Sequence, residues 1–474
     1  MLIDKYREFF KGKKITVMGL GLLGRGLGYT KFLAECGADL IVTDLKTRKQ
    51  LATSVKALSK FSKPAKGRAG IKFVLGEHRL EDFRDRDMIV KAAGVPTDSI
   101  YIKEAQKNGI PVEMDVSLFA KCAPEVMIVG VTGTRGKSMT TALIYEILKQ
   151  NEKFLKRKIY IGGNVRGVAT LPLLKQVKPR DVLVCELDSW QLQGFGEARI
   201  SPHISVFTSF MPDHMNYYKD SMKKYFADKT NIFKYQKGRD VLIVRPHVKK
   251  IIPKKIKSKL IVADVKSITD YKFIVPGEHQ RENLACAIEV ARQFYIPESK
   301  IKQAVKGFKG LEGRLQYIKT VKGVKIYNDN NATTPEATIS GIEALSMDNS
   351  PDVGYLMSDV WRKKIVLICG GSDKKLPLDN FVKVVNKYCK AVVLIPGTGT
   401  DKLISNFKFL IPKKNAKDLK EAVKIALGLA SRGDIILFSP AFASFGMFNN
   451  EYERNDLFMK IIKKLKPARG GQVK

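Results

Sequence analysis

With 474 residues, 44% of them apolar, the chain is long enough for about three domains of the usual ~150 residues, each with its own core. It has no run of ~18 uninterrupted apolar residues, which excludes a membrane-spanning helix, and the opening MLIDKYREFFKGKK lacks the apolar core of a secretory signal, so a cytoplasmic protein is expected. The formal charge of +37 invites a nucleic-acid partner, but it is mostly lysine spread along the whole chain with no arginine-rich arm, so a solvated coat on a protein handling acidic small molecules is the better reading.

Residues 15–44, ITVMGLGLLGRGLGYTKFLAECGADLIVTD, read as strand, glycine turn, helix, strand. Gly19, Gly21 and Gly24 spell G-x-G-x-x-G, and Asp44 closes the second strand, the spacing at which an acidic residue meets a ribose hydroxyl. Any phosphate-bearing nucleotide can use such a turn, so NAD and a nucleotide-sugar both remain candidates. A third strand, RDMIVKAAGVP, and IPVEMDVSLFA complete a first domain over residues 1–117.

In VMIVGVTGTRGKSMTT, residues 126–141, an apolar strand runs into a turn with Gly133, Thr134, Gly136, Lys137 and Ser138, and a helix is expected at once in TTALIYEILKQ. Small residues let backbone N–H groups close round a polyphosphate, the lysine adds a point charge and the serine hydroxyl can ligate Mg²⁺. The strict G-x-x-x-x-G-K-[ST] pattern fails because Val131 stands at its first glycine; the plain alternative is an ordinary glycine-rich turn with a solvated lysine. Strands follow at 181–187, 204–210 and 240–244, and their ends carry Glu186, Asp188, Ser189, Asp213 and His214. Ligands of open parallel sheets bind beyond the carboxyl ends of the strands, so these side chains are expected to gather round the loop. Lys137, Ser138 and Glu186 could then hold Mg²⁺ on the β and γ phosphates of ATP. His214 reads equally well as structural or functional. The lysine-rich stretch 245–270 shows short β-like pieces in no clear order.

A helix in GEHQRENLACAIEVARQF presents Leu284, Ala287, Ile288 and Ala291 on one face. The glycines of GFKGLEGR bound a second domain, residues 118–310, from a third, residues 311–474, with strands KIVLICGG, AVVLIP and DIILFSP. Two loops dense in small polar residues, IYNDNNATTPEAT and LFSPAFASFGMFNNEYERN, suggest a substrate-holding surface that closes on the ATP site. The six cysteines form no C-x-x-C pair and read as reduced, buried thiols.

TGTRGKS, ELDSWQL, DHMNYY, GEHQRENLACA, GLEGR, YNDNNATTPEAT, GGSDK and SPAFASFGMFNNEYER, in order from residue 132 to 454, together resemble the Mur ligases, ATP-dependent amide-bond-forming enzymes of peptidoglycan synthesis. The ending SPAFASFGMF and the N-terminal GLGLLG are similar to those of the members that add D-glutamate to UDP-N-acetylmuramoyl-L-alanine. The resemblance implies three α/β domains: a Rossmann-like N-terminal domain, a central P-loop ATPase-type domain with a parallel sheet, and a Rossmann-like C-terminal domain. It implies attack of a substrate carboxylate on the γ-phosphate of ATP, then displacement of phosphate from the acyl phosphate by the amine of D-glutamate. By the same resemblance, Lys137 binds phosphates, Ser138 and Glu186 hold one Mg²⁺, and His214 a second. Lys229, in ADKTNIF, matches a lysine carried as a carbamate, which would turn a cation into an oxygen ligand. Asn283 is expected at adenine, Arg314 and Asp329 at ATP phosphate and ribose, Leu22, Leu23 and Asp44 at the uridine end, Asn164 near the muramoyl group, and Thr333, Lys374 and Ser444 at D-glutamate. The motifs depart from the family pattern at Ala92, Ala93, Arg135, Met139, Gln280 and Asn331. No nucleic-acid partner is expected, and a monomer is. The competing readings are a sister or folate-polyglutamylating ligase, a nicotinamide-dependent oxidoreductase built on the first glycine turn, and a non-catalytic basic nucleic-acid binder.

Overall fold

The computed structural model describes residues 2–63, 70–346, 363–448 and 450–465. Its first sheet is all parallel: β1 (Lys14–Met18), β2 (Asp39–Asp44), β3 (Ile71–Leu75), β4 (Met88–Lys91) and β5 (Val112–Glu113) lie in the order β3-β2-β1-β4-β5. The second sheet is parallel too, with β6 (Met127–Thr132), β7 (Ile159–Gly163), β8 (Val182–Glu186), β9 (Ile204–Phe207), β10 (Val241–Val244) and β11 (Lys259–Val262) in the order β11-β10-β9-β6-β8-β7. All five residues of β8 and all four of β9 are buried, as expected of parallel strands covered on both faces, and for that reason they read in sequence as apolar runs without alternation. The stretch 245–270, left unordered by its sequence, contributes the short helix Pro246–Lys249 and β11 at the sheet edge.

The third sheet is mixed: β12 (Gln316–Val321), β13 (Val324–Asn328), β14 (Ile365–Gly370), β15 (Cys389–Ile395), β16 (Lys413–Asn415) and β17 (Ile435–Phe438) run in the order β12-β13-β17-β14-β15-β16, with β12 antiparallel to β13. The antiparallel pair departs from a fully Rossmann-like C-terminal domain. Its cause is local: the two-residue turn Lys322–Gly323 has φ of +50° and +79°, the doubly left-handed geometry that matches the twist of a tight hairpin. β16, KKN, is exposed throughout, and its lysines keep that edge from pairing with another chain.

Contacts divide the chain into two units, residues 1–270 with 282–305, and residues 271–281 with 306–474. In the first unit the two parallel sheets share a core, in which Val17, Phe32 and Leu40 join Leu183, Cys185 and Phe207. Asp115, half-buried, fastens them, its two carboxylate oxygens accepting the Thr170 and Leu171 N–H groups at 2.7 Å each. All six cysteines are free and buried. Among the described residues, no helix is long and apolar enough to cross a membrane.

Candidate active site

The turn after β6 can only be built from glycine at two places. Gly133 has φ +147°, and a Cβ there would strike Thr208 Oγ1 and the Ser209 backbone; Gly136 has φ +88°, and a Cβ there would strike the Asn283 side chain. The extension of β9 cradles this turn from below. Thr134 N–H donates to Ser209 O at 2.8 Å, Arg135 N–H to Ser209 Oγ at 2.7 Å, and Thr208 Oγ1 and Ser209 Oγ donate to Arg135 O at 2.5 and 2.9 Å. Arg135 is therefore gripped by its backbone, which leaves its side chain free of the turn's hydrogen bonds; Met139 is buried in the helix that follows. Gly136 caps the helix Lys137–Gln150 without a side-chain bond, so the first-turn N–H groups, with Ser138 among them, face an incoming anion. Lys137 Nζ lies folded on the loop, donating to Gly133 O at 2.9 Å and Thr134 O at 3.1 Å.

The strand ends do gather here. Register pairs Gly163 with Glu186, and Asn164 N–H donates to Glu186 O at 2.7 Å, so the expected muramoyl and metal residues sit side by side. Asp188 caps the helix Ser189–Ala198 in a capping box with Gln191. His214 has φ +55° and packs 4.7 Å from the Trp190 ring, with Nε2 3.7 Å from Asp213. Burial, helped by Lys137 and Lys229, holds its imidazole below the ordinary value against the pull of Asp213. Lys229 is 1% exposed. Its Nζ donates to Gly133 O at 3.0 Å, reaches Thr132 Oγ1 at 3.5 Å and lies 4.8 Å over the Tyr225 ring. Burial first, then the charge of Lys137, drives the ammonium well below its usual range. A neutral amine with a lone pair is the form that adds CO₂ to give a carbamate.

Three residues escape a reading by motif. Tyr225 is buried under Phe210, with ring centroids 5.4 Å apart, and its hydroxyl lies 3.3 Å from Thr134 Oγ1, so it links Lys229 to the loop. Its only sequence signal is an aromatic four residues before Lys229, one helical turn away. Trp190, inside ELDSWQL, had no role assigned. Arg245, at the end of β10, donates to Asn283 Oδ1 and to Glu282 Oε2 at 2.8 Å, while Thr140 Oγ1 donates to the same Asn283 oxygen at 3.1 Å. Asn283 is thus anchored through its carbonyl.

In the first sheet, Asp44 spends its carboxylate on the backbone: Gly21 N–H donates to Oδ2 at 2.9 Å and Lys46 N–H to Oδ1 at 2.8 Å. It holds the glycine turn, while Leu22 and Leu23 stand 54% and 38% exposed beside it. In the second unit, Asp329 accepts from Leu315 N–H at 3.0 Å and Ser439 Oγ at 2.8 Å; burial pushes its carboxyl up to about 7, opposed by those bonds and by Arg314. Lys374 Nζ donates to Thr333 Oγ1 at 3.0 Å, bringing two of the expected D-glutamate residues together. Ser444 is buried next to Ala443, which bridges to Ser372 on the Lys374 loop.

Three family models match in chain order: the Mur ligase MurD-like N-terminal domain over residues 13–113, the Mur ligase middle domain over 131–271, and the Mur ligase glutamate ligase domain over 313–442. The UDP-N-acetylmuramoylalanine--D-glutamate ligase of Roseiflexus sp. (strain RS-1) is 34% identical over 489 aligned positions, covering 95% of this chain and 98% of its own. The enzyme of that name from Borreliella burgdorferi (strain ZS7) is 33% identical, covering 98% and 100%. Among solved structures, the UDP-N-acetylmuramate-alanine ligase MurC of Thermotoga maritima superposes with a TM-score of 0.58 at 18% identity, covering 96% of this chain and all of that one, a likeness of fold.

Proposed function

The chain belongs to the Mur ligase family, and on that premise we propose that it joins D-glutamate to UDP-N-acetylmuramoyl-L-alanine with cleavage of ATP to ADP and phosphate. The observation that carries this reading is the near full-length similarity to D-glutamate ligases at 33–34% identity. Nothing in the matches or in the site favours the oxidoreductase reading; Asp44 is already bonded to its own glycine turn.

In the proposed reaction a carboxylate oxygen of the alanyl group attacks the γ-phosphorus, and the bond to the β–γ bridging oxygen breaks to release ADP. The D-glutamate nitrogen then attacks the acyl carbon, phosphate leaves, and the nitrogen loses a proton. The first-turn N–H groups after Gly136 and the Lys137 ammonium would balance the charge that moves toward the bridging oxygen. Asn283 would hold the adenine, and Arg314 and Asp329 are proposed as contacts for phosphate and ribose. Leu22, Leu23, Asp44 and Asn164 would hold the UDP-linked substrate, and Thr333, Lys374 and Ser444 the amino acid, whose two carboxylates suit a lysine.

For Mg²⁺ the donor set fits only in part as it stands. Among the described residues no three His, Cys, Asp or Glu side chains converge. Glu186 and His214 are two donors, Ser138 adds a hydroxyl, and the loop-facing Lys229 would add a carboxylate once carbamylated, completing an oxygen-rich set. Bound there, the ion would neutralise phosphate charge and bring the nucleophile and phosphorus together. We take the enzyme to work as a monomer in the cytoplasm, where its ATP is. The test is phosphate release in ATP, Mg²⁺ and UDP-N-acetylmuramoyl-L-alanine: release on adding D-glutamate is expected, and equal release with L-glutamate or L-lysine would overturn the assigned specificity.

A further inference from the structure

Arg454, the fourth residue of the helix Glu451–Lys464, is 0% exposed and heads the largest fully buried side chains among the described residues. It makes no ion pair among the described residues. Its hydrogen-bond partners among the described residues are loop oxygens: Nε donates to Asn330 Oδ1 at 2.8 Å, Nη2 to Asn330 O at 3.1 Å and Nη1 to Phe442 O at 3.3 Å. Burying a guanidinium without a carboxylate is expensive, and burial indeed pulls it down to about 10 against the opposing charge of Glu451. A side chain kept under those conditions needs a reason in what it holds.

What it holds is two loops that the ligase reading makes substrate-bearing. Asn330 lies between Asp329 and Thr333; Phe442 lies two residues before Ser444. The loops also touch directly, Ala441 N–H donating to Ala332 O at 2.9 Å. Ala441 has φ +64°, a left-handed conformation that a residue with a Cβ keeps only where its surroundings over-determine it. Asn330 Nδ2 returns a bond to Glu451 O at 2.9 Å. The next helix residue, Asn455, extends the clamp: it accepts from Asn328 Nδ2 at 2.8 Å and donates to Glu312 Oε1 at 2.5 Å.

We propose that Arg454 is a positioning residue for D-glutamate: its three-way fork fixes the Thr333 loop against the Ser444 loop, and so sets the spacing of the groups that grip the amino acid. This rests on the ligase reading. A lysine is one point of charge and cannot bind both loops in a fixed plane. Asp329 is held by Leu315 and Ser439 instead, so ATP contacts survive when the fork is lost. The effect of losing it is a selective one.

The experiment compares the parent protein with R454K and R454A by thermal denaturation and by steady-state kinetics in each substrate. R454K is expected to fold and to raise KM for D-glutamate by about tenfold or more, the scale set by misplacing a binding group by roughly an ångström, with KM for ATP changed by less than about threefold. Millimolar guanidinium is expected to restore part of the activity of folded R454A. A parental KM for D-glutamate in R454K, or equal rises in both KM values, would overturn the inference, as would the lack of rescue in folded R454A; if R454A does not fold, R454K decides. A parent without D-glutamate-dependent ADP release overturns the ligase reading itself and this inference with it, whereas an active parent with an indifferent R454K overturns this inference alone.

Discussion

Lys229 is one of 84 lysines and arginines, and only its surroundings set it apart: 1% exposure, a bond to the Gly133 carbonyl and an ammonium held far below its usual range by burial and Lys137. We predict that Lys229→Ala loses activity and that added short carboxylates partly restore it, measured as D-glutamate-dependent phosphate release. Full activity in the variant would remove the carbamate from the mechanism. Asp329 offers a test by pH. Its carboxyl titrates at about 7 folded against 3.8 unfolded, so between these values the folded state holds more protons than the unfolded one. The contribution of Asp329 to stability is therefore fully present below about pH 4 and is lost as pH rises through 7. Asp329→Asn should flatten this part of the stability-versus-pH curve in thermal melts at acid and neutral pH. An identical slope in parent and variant would mean the carboxyl is ionised throughout.

The turn between β6 and the helix Lys137–Gln150 is tightly constrained. Its two left-handed glycines abut Thr208, Ser209 and Asn283 so closely that no Cβ fits, and four hydrogen bonds from the end of β9 fix its path. Gly133→Ala combines a forbidden contact with strained backbone, a cost of about 1–3 kcal/mol for the conformation alone. Nucleotide binding is expected to weaken at least tenfold, read by titration with a fluorescent ATP analogue, while the helical circular dichroism of the chain stays near that of the parent. Unchanged affinity would show that this loop does not bind the nucleotide. Strands such as β6, β8 and β9 and the glycine turns were readable because apolar runs ending in glycine or acid are local patterns, whereas the order of the strands in each sheet came only from the structure. The β12–β13 hairpin was not read, since only one of the six residues of β12, QYIKTV, is buried, so it lacks an apolar run, and the turn VKGV reveals its geometry only through a left-handed lysine.

At the scale of the whole molecule the charge of +37 meets substrates that, on the proposed function, are all anions. A positive coat raises the rate of encounter with polyanions and is screened by salt. We predict that kcat/KM for ATP and for the UDP-linked substrate falls as NaCl rises from about 50 to about 300 mM, with kcat nearly constant. A salt-independent kcat/KM would leave the coat without a part in substrate capture.

The sequence by itself determined the three α/β domains, the reaction class and the residues at the strand ends, because periodicity, glycine spacing and ordered motifs are written along the chain. It could name Glu186, His214 and Lys229, but not that Lys229 is driven toward its neutral form, since that follows from packing against Tyr225 and Lys137 in space. Arg454 closes the motif SPAFASFGMFNNEYER with no role legible there, because burial and three loop oxygens, not neighbours in sequence, give that side chain its work. Tyr225 and Arg245 were invisible for the same reason. Electrostatics and desolvation act between groups that only the folded chain brings together, and there the tertiary structure alone decides.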